Sequence, residues 1–147
     1  PLIVYWKGRI APMVSDALVS QLDFFASLGS LIGGEVPEGI DSENHLDAFL
    51  GKTGAGRDDI VHEAQGRVSY RSGKYALIPP YKGPQRNITQ NELGNLPQWG
   101  LFDLSTDRGQ QNDIAGENPE LVDSLRANFL SIVGEHYRPM TPEEKLQ

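Results

Sequence analysis

Apolar and polar positions along the chain fall into two regimes. Residues 2–6 are a continuous apolar run closed by Lys7-Gly8, which predicts a buried strand. Ser15 or Asp16 then stands as a cap before Leu18, Val19, Leu22, Phe25, Leu28, Leu31 and Ile32. Spacings of three and four predict a helix with that stripe turned inward, stopped at Gly33-Gly34. Beyond a loop with Pro37 and Gly39, a short helix capped by Asp41 or Ser42 would turn Leu46, Phe49 and Leu50 inward. The glycine-rich run 51–56 reads as a linker, giving one domain over 1–56 and a second over 57–147.

After the linker the period changes from helical to alternating. Asp59–Ala64, Arg67–Arg71 and Lys74–Ile78 predict three strands, with tight turns at Gln65-Gly66 and Ser72-Gly73. Residues 79–100, with prolines at 79, 80, 84 and 97, form a long irregular loop, a kind that is often functional. Leu101–Leu104 is a fourth strand. A last helix starts with Asn118 as cap and Pro119 at its first position. It should bury Leu121, Val122, Leu125, Phe129, Ile132 and Val133 and end near Tyr137, with Pro139 and Pro142 breaking anything further. The expected fold class is α+β: a small four-stranded antiparallel sheet with a packed C-terminal helix over residues 57–138.

Composition narrows the chemistry. The 147 residues contain no cysteine, which excludes disulfides, thiolate metal sites and a cysteine nucleophile. A net charge of −7 argues against general nucleic-acid binding, and no run is long and apolar enough to cross a membrane. The charge is uneven. No acidic residue lies between Ala64 and Asn91, where Arg67, Arg71, Lys74, Lys82 and Arg86 all fall. With two-residue turns, Tyr70, Tyr75, Val68 and Leu77 would share the core face, while His62, Arg67, Ser69, Arg71 and Lys74 share the other. In that register Arg71 opposes Lys74, a like-charge pair that calls for an anion nearby. Carboxylates of a flanking domain or an anionic ligand would both supply one, with Tyr81 available for stacking. His62, Arg67, Arg71 and Lys74 are therefore the candidate substrate-binding residues.

Other motifs fail on spacing. Gly51-Lys52-Thr53 lacks the first glycine of a phosphate-binding loop, since that position is Leu46. His62-Glu63 lacks the second histidine of a zinc helix, since that position is Gly66, and His45 and His136 lie in other elements. Asn87-Ile88-Thr89 fits a glycosylation sequon, a weak signal outside a eukaryotic secretory protein.

The order of short motifs resembles the sulfatase family along nearly the whole chain. Pro1–Trp6 with Gly8 and Ile10 is similar to the family's "VPLIVRWPGKI", and Val14-Ser15-Asp16 with Leu22-Asp23 and Phe24–Leu28 to "SDELVSLVDLLPTLLELAG". Pro37–Asp41 resembles "P-x-G-x-D-G", with Ser42 where glycine is common; Leu50-Gly51 and Arg57-Asp58 resemble "LLG…RD"; Arg71–Tyr75 resembles "R-x-G-x-(Y/W)-K". Leu101–Ala115 followed by Asn118-Pro119-Glu120 resembles the family's "LYDL" tail. Ala76, Phe25-Ala26-Ser27 and Gly109-Gln110 depart from the pattern at structural positions, which bears on subfamily.

The resemblance implies the C-terminal portion of a formylglycine-dependent, arylsulfatase-like enzyme. Residues 1–56 would be a strand and helices ending an alkaline-phosphatase-like α/β domain, and 57–147 a C-terminal subdomain. It further implies a sulfated sugar or aryl sulfate as substrate, and calcium and formylglycine in a catalytic domain upstream. The C/S-x-P-x-R motif is absent, so no catalytic residue and no metal ligand is assigned here, and the fragment alone should be inactive. Periplasmic or secreted residence is expected if the source is bacterial. A chain opening on an apolar strand is expected to be a piece of a larger protein that self-associates when isolated. Two alternatives stand beside this reading: a related phosphodiesterase or phosphoglycerol transferase, and a non-enzymatic module for anionic glycans.

Overall fold

A computed structural model describes residues 2–64, 67–81, 83–91, 93–134 and 137. The chain forms two compact units, one ending at Asp58 and the other beginning at Asp59.

The first unit contains helix α1 (Asp23–Ile32) and the single helical turn α2 (Leu46–Phe49). Residues 2–6 form no strand and pair with none among the described residues, and Ile3 and Tyr5 stand 86% and 81% exposed. The buried strand expected there is absent, because the unit offers it no neighbouring strand. Helix α1 also begins later than its apolar spacing predicts. The carbonyl of Leu18 accepts from the Arg57 amide at 2.7 Å, so residues before 20 serve an extended connection. That approach requires Gly56, where a Cβ would overlap the Leu18 carbonyl.

The polarity of α1 is the reverse of the expected one. Its buried positions are Asp23, Ala26 and Ser27, whereas Leu22, Phe25, Leu28, Leu31 and Ile32 are exposed. The polar stripe is what the neighbouring chain needs. Asp23 accepts from Arg57 Nε at 2.9 and 3.0 Å, from Arg57 Nη2 at 2.5 Å, and from the amides of Ser20 at 2.8 Å and Glu43 at 3.1 Å. Arg57 also reaches Glu43 at 2.7 Å and the Asp41 carbonyl. Ser42 Oγ accepts from the Ala26 amide at 2.9 Å rather than capping α2, which starts after His45. Ser27 Oγ accepts from the His45 amide at 2.9 Å. Loop 41–45 is thus laced to α1 by hydrogen bonds, and the Phe24 and Phe49 rings close beside it at 5.2 Å.

The second unit is an antiparallel sheet in the order β1 (Asp59–Ala64), β2 (Arg67–Ser72), β3 (Tyr75–Ile78), β4 (Gly100–Asp103), followed by α3 (Pro119–Val133). The α+β class stands as the sequence implied. Adjacent cross-strand rows point to opposite faces. Val61, Tyr70, Leu77 and Leu101 form one row, and Ile60, Arg71, Ala76 and Phe102 the next. The first row meets α3 through Leu125 and Phe129. Phe129 has no exposed surface and sits against Tyr70, Trp99 and Tyr137 at ring separations of 6.0, 5.9 and 5.0 Å. Burial, and next a hydrogen bond to Asp59 at 2.8 Å, push the Tyr70 hydroxyl up to about 12. Ile132, expected inside, is 50% exposed, and α3 ends at Val133, before Tyr137.

Gln65 and Gly66 lie outside the described residues, and the strands beside them pair Ala64 with Arg67 and His62 with Ser69. The second hairpin differs from expectation. Ser72 pairs with Tyr75 and Tyr70 with Leu77, so the turn is Gly73-Lys74. Gly73 has φ of +51°, the glycine-first arrangement of a two-residue hairpin, which Ser72 at that position would disfavour. The polar tail after β4 is organised by three carboxylates. Asp103 accepts from the Ser105 amide at 3.0 Å, Asp107 from Asn112 at 2.8 Å, and Asp113 from Leu101 and Ala115 at 3.0 and 2.9 Å. The last of these, with Ile114 donating to the Leu101 carbonyl at 2.9 Å, covers part of the β4 edge.

Two predictions follow from these cores. Burial alone would raise the Asp23 carboxyl, but hydrogen bonds from Arg57, Ser20 and Glu43 hold it below the usual carboxylate range. A depressed folded value means stabilisation above the unfolded carboxylate pKa of about 3.9 and loss as pH falls through it. Urea unfolding should therefore show the first unit weakening from about pH 5 downward. Asp23→Ala should cost about 3–5 kcal/mol at pH 7 by removing the buried partner of Arg57 and the acceptor of the Ser20 and Glu43 amides, and should flatten that pH dependence. Equal stability of variant and parent at pH 7 would contradict the assignment. In the second unit, Phe129→Ala should cost about 3–5 kcal/mol. Ile132→Ala should stay within about 0.5 kcal/mol in the same denaturation experiment.

Candidate substrate-binding face

The sheet face away from α3 carries His62, Arg67, Ser69 and Arg71, as the alternation predicts. It is not uniformly polar. Ile60, Ala76 and Phe102 on the same side are buried, so the basic residues occupy the β1–β2 part of it. Lys74 does not join them. As a turn residue it donates to Asp103 Oδ2 at 2.7 Å and lies 4.9 Å from the Tyr75 ring centre. Lys74, with Ser105 second, draws the Asp103 carboxyl down to about 2. Arg71 stands opposite Ala76, and its Nε donates to the Gly73 carbonyl at 3.3 Å. The expected Arg71–Lys74 opposition does not form, and the demand for an anion derived from it falls away.

Arg67 has a different setting. Its Nε donates to Asn95 Oδ1 at 2.9 Å, and its guanidinium lies 5.1 Å from the Tyr81 ring centre. Asn95 is buried and donates from Nδ2 to the Pro84 carbonyl, which fixes its orientation. The long loop is itself ordered by pairs across it: Tyr81 to Leu96 at 2.8 Å, Leu93 to Gln85 at 2.8 Å and Asn87 to Asn91 at 3.0 Å. Tyr81, expected to stack on a ligand, carries Arg67 instead. Asn95 had no distinguishing sequence signal, being one of several asparagines in a polar loop. His62 is exposed at the end of β1. Lys82 lies outside the described residues.

Charge compensation separates these cations. Arg57 is neutralised by Asp23 and Glu43, Lys52 by Asp47, and Lys74 by Asp103. Arg67 is oriented by a neutral amide and a ring, and no ion pair holds it among the described residues. Among those residues no group of three or more His, Asp or Glu side chains is arranged to hold a metal, and no helix is long and apolar enough to cross a membrane. The first unit separately carries an apolar groove of about 690 Å³ lined by residues including Leu2, Val4, Ile10, Met13 and Phe49.

No family model matches the chain. Among curated proteins it is 36% identical over 129 residues to an N-acetylgalactosamine-6-O-sulfatase of Bacteroides thetaiotaomicron, covering 85% of this chain and 25% of that protein. It is 27% identical over 146 residues to human arylsulfatase A, covering 86% of this chain and 29% of that protein. A solved 6S-sulf protein, from a core genetic locus for glycosaminoglycan metabolism in Bacteroides thetaiotaomicron, superposes with a TM-score of 0.80 at 34% identity. That match covers 86% of this chain and 27% of the other. A solved 2-O GAG sulfatase shares the fold at a TM-score of 0.54 and 16% identity, over 81% of this chain and 26% of that one. The chain thus spans about a quarter of the length of the curated relatives it matches. With the α+β fold and the ordered motifs in place, the chain belongs to the sulfatase family.

Proposed function

We propose that this chain is the C-terminal portion of a sulfuric ester hydrolase that acts on a sulfated sugar. The observation that carries the proposal is the 36% identity to an N-acetylgalactosamine-6-O-sulfatase across 85% of the chain. In this reading residues 1–56 complete an alkaline-phosphatase-like α/β domain and 57–147 are a subdomain beside it. The β1–β2 face, with His62, Arg67 and Arg71, and the 79–100 loop contribute to the substrate cleft, while Lys74 ties the β2–β3 turn to β4. The residues described here do not fit a calcium site, and without cysteine or the S-x-P-x-R motif they do not supply formylglycine. That chemistry is assigned to residues outside this chain, in an enzyme of the periplasm or cell exterior.

What these residues would contribute is binding. A guanidinium on a partly desolvated sheet face attracts an oxyanion more strongly than one in bulk water, and the sulfate ester and uronate groups of acidic glycans are oxyanions. The isolated 147-residue chain should hydrolyse no sulfate ester. In the enzyme that contains it, Arg71→Ala should raise KM for a sulfated N-acetylgalactosamine disaccharide about fivefold with kcat little changed, the equivalent of about 1 kcal/mol of binding. Turnover by the isolated chain, or no turnover by the longer enzyme, would refute the reading.

The exposed stripe of α1 and the apolar segment 2–6 would be covered in that enzyme. On the isolated chain they leave apolar side chains exposed, which favours association. Sedimentation velocity should show mass rising with concentration, and a single monomeric species throughout would contradict this.

A further inference from the structure

We infer that Arg67, clamped by Asn95 and Tyr81, is the oxyanion-recognising residue of this face and takes a sulfate or carboxylate group of an acidic saccharide. The inference rests on the sulfatase reading and narrows it to one side chain. Four observations carry it. Arg67 is half-buried, so its charge is only partly hydrated. Its Nε is committed to Asn95 Oδ1 at 2.9 Å, which leaves the Nη1–Nη2 edge as the end directed to a ligand. Tyr81 holds the guanidinium plane from one face at 5.1 Å. Asn95 is 6% exposed and anchored to Pro84, so the clamp is set by the loop before any ligand arrives.

A structural arginine with this degree of burial is ordinarily neutralised, as Arg57 is by Asp23 and Glu43. Among the described residues Arg67 is instead held by a neutral amide and a ring, which orient it without cancelling its charge. Such an arrangement lowers the ordering cost of binding, because the long side chain is fixed beforehand. A planar fork with two parallel N–H donors matches a carboxylate or two oxygens of a sulfate ester. Ser69 and His62, paired across β1 and β2 on the same face, add hydroxyl and imidazole groups suited to sugar hydroxyls.

The test is NMR of the longer enzyme, labelled at its arginine side chains and with its upstream nucleophile substituted, following the Arg67 Nε–Hε resonance during titration with three probes. These are a chondroitin 6-sulfate hexasaccharide, the same oligosaccharide desulfated but retaining its carboxylates, and inorganic sulfate. The expected result is a saturable shift with the first oligosaccharide, weakened about tenfold in Arg67→Lys, which keeps the charge and loses the fork. Asn95→Asp, which sets a carboxylate against Arg67 Nε, should weaken it comparably, with amide dispersion reporting that the fold is kept. A shift retained with the desulfated probe assigns the carboxylate, and one lost with it assigns the sulfate. No saturable shift, equal affinity in Arg67→Lys, or inorganic sulfate binding as tightly as the oligosaccharide would each overturn the inference. Sulfatase turnover by the longer enzyme is scored separately. Turnover without an Arg67 response refutes this inference alone, and an Arg67 response without turnover refutes the enzymatic reading alone.

Discussion

With no surface of its own exposed, Phe129 fills the space between helix α3 and the sheet, meeting Tyr70, Trp99 and Tyr137 at 5.0–6.0 Å. That one insertion fixes which sheet face meets α3. Once Val61, Tyr70, Leu77 and Leu101 turn toward α3, the period of two sends Arg67, Ser69 and Arg71 to the other side. The position of every basic group on the candidate face is therefore a consequence of aromatic packing on the opposite one. The Tyr70–Asp59 hydrogen bond ties the first strand into the same core.

The first unit is held by a different device. Its organiser is a charge pair, Asp23 with Arg57, joined across 34 positions and surrounded by backbone donors and acceptors. Burying a carboxylate is tolerated only when it is paired and fully hydrogen-bonded, and Asp23 meets both conditions. Because that polar network occupies the inner side of α1, its leucines and Phe25 are left outside. The motifs around Asp23, Asp41-Ser42 and Arg57, weak one by one, come together as the partners of one network.

The sheet was legible in the sequence because alternation, turn residues and a capped amphipathic helix all agree there. Even so, the Ser72-Gly73 turn was misplaced: local pattern marks a turn but not which of its two positions needs positive φ. Helix α1 was legible as a helix and wrong in its inner face. Periodicity identifies a stripe, and the assumption that the apolar stripe is the buried one fails when an ion pair from distant sequence claims the other side. Of the candidate site, Arg67 could be nominated from the basic island alone. Its clamp could not, because Asn95 lies 28 positions away and only the folded loop brings it to Nε.

The hairpin turn has a consequence for how this segment can vary in evolution. The pairing of β2 with β3 is offset by two positions from the one that Ser72-Gly73 would impose, and an even offset leaves every side chain on the same face. The facing of β2 is fixed by its pairing with β1 and by Phe129, so Tyr70 stays inward and Arg71 outward whatever the length of the turn. An added residue there would be taken up as a three-residue loop or a bulge. Length changes in this turn are therefore absorbed locally, and the division between the two faces survives them.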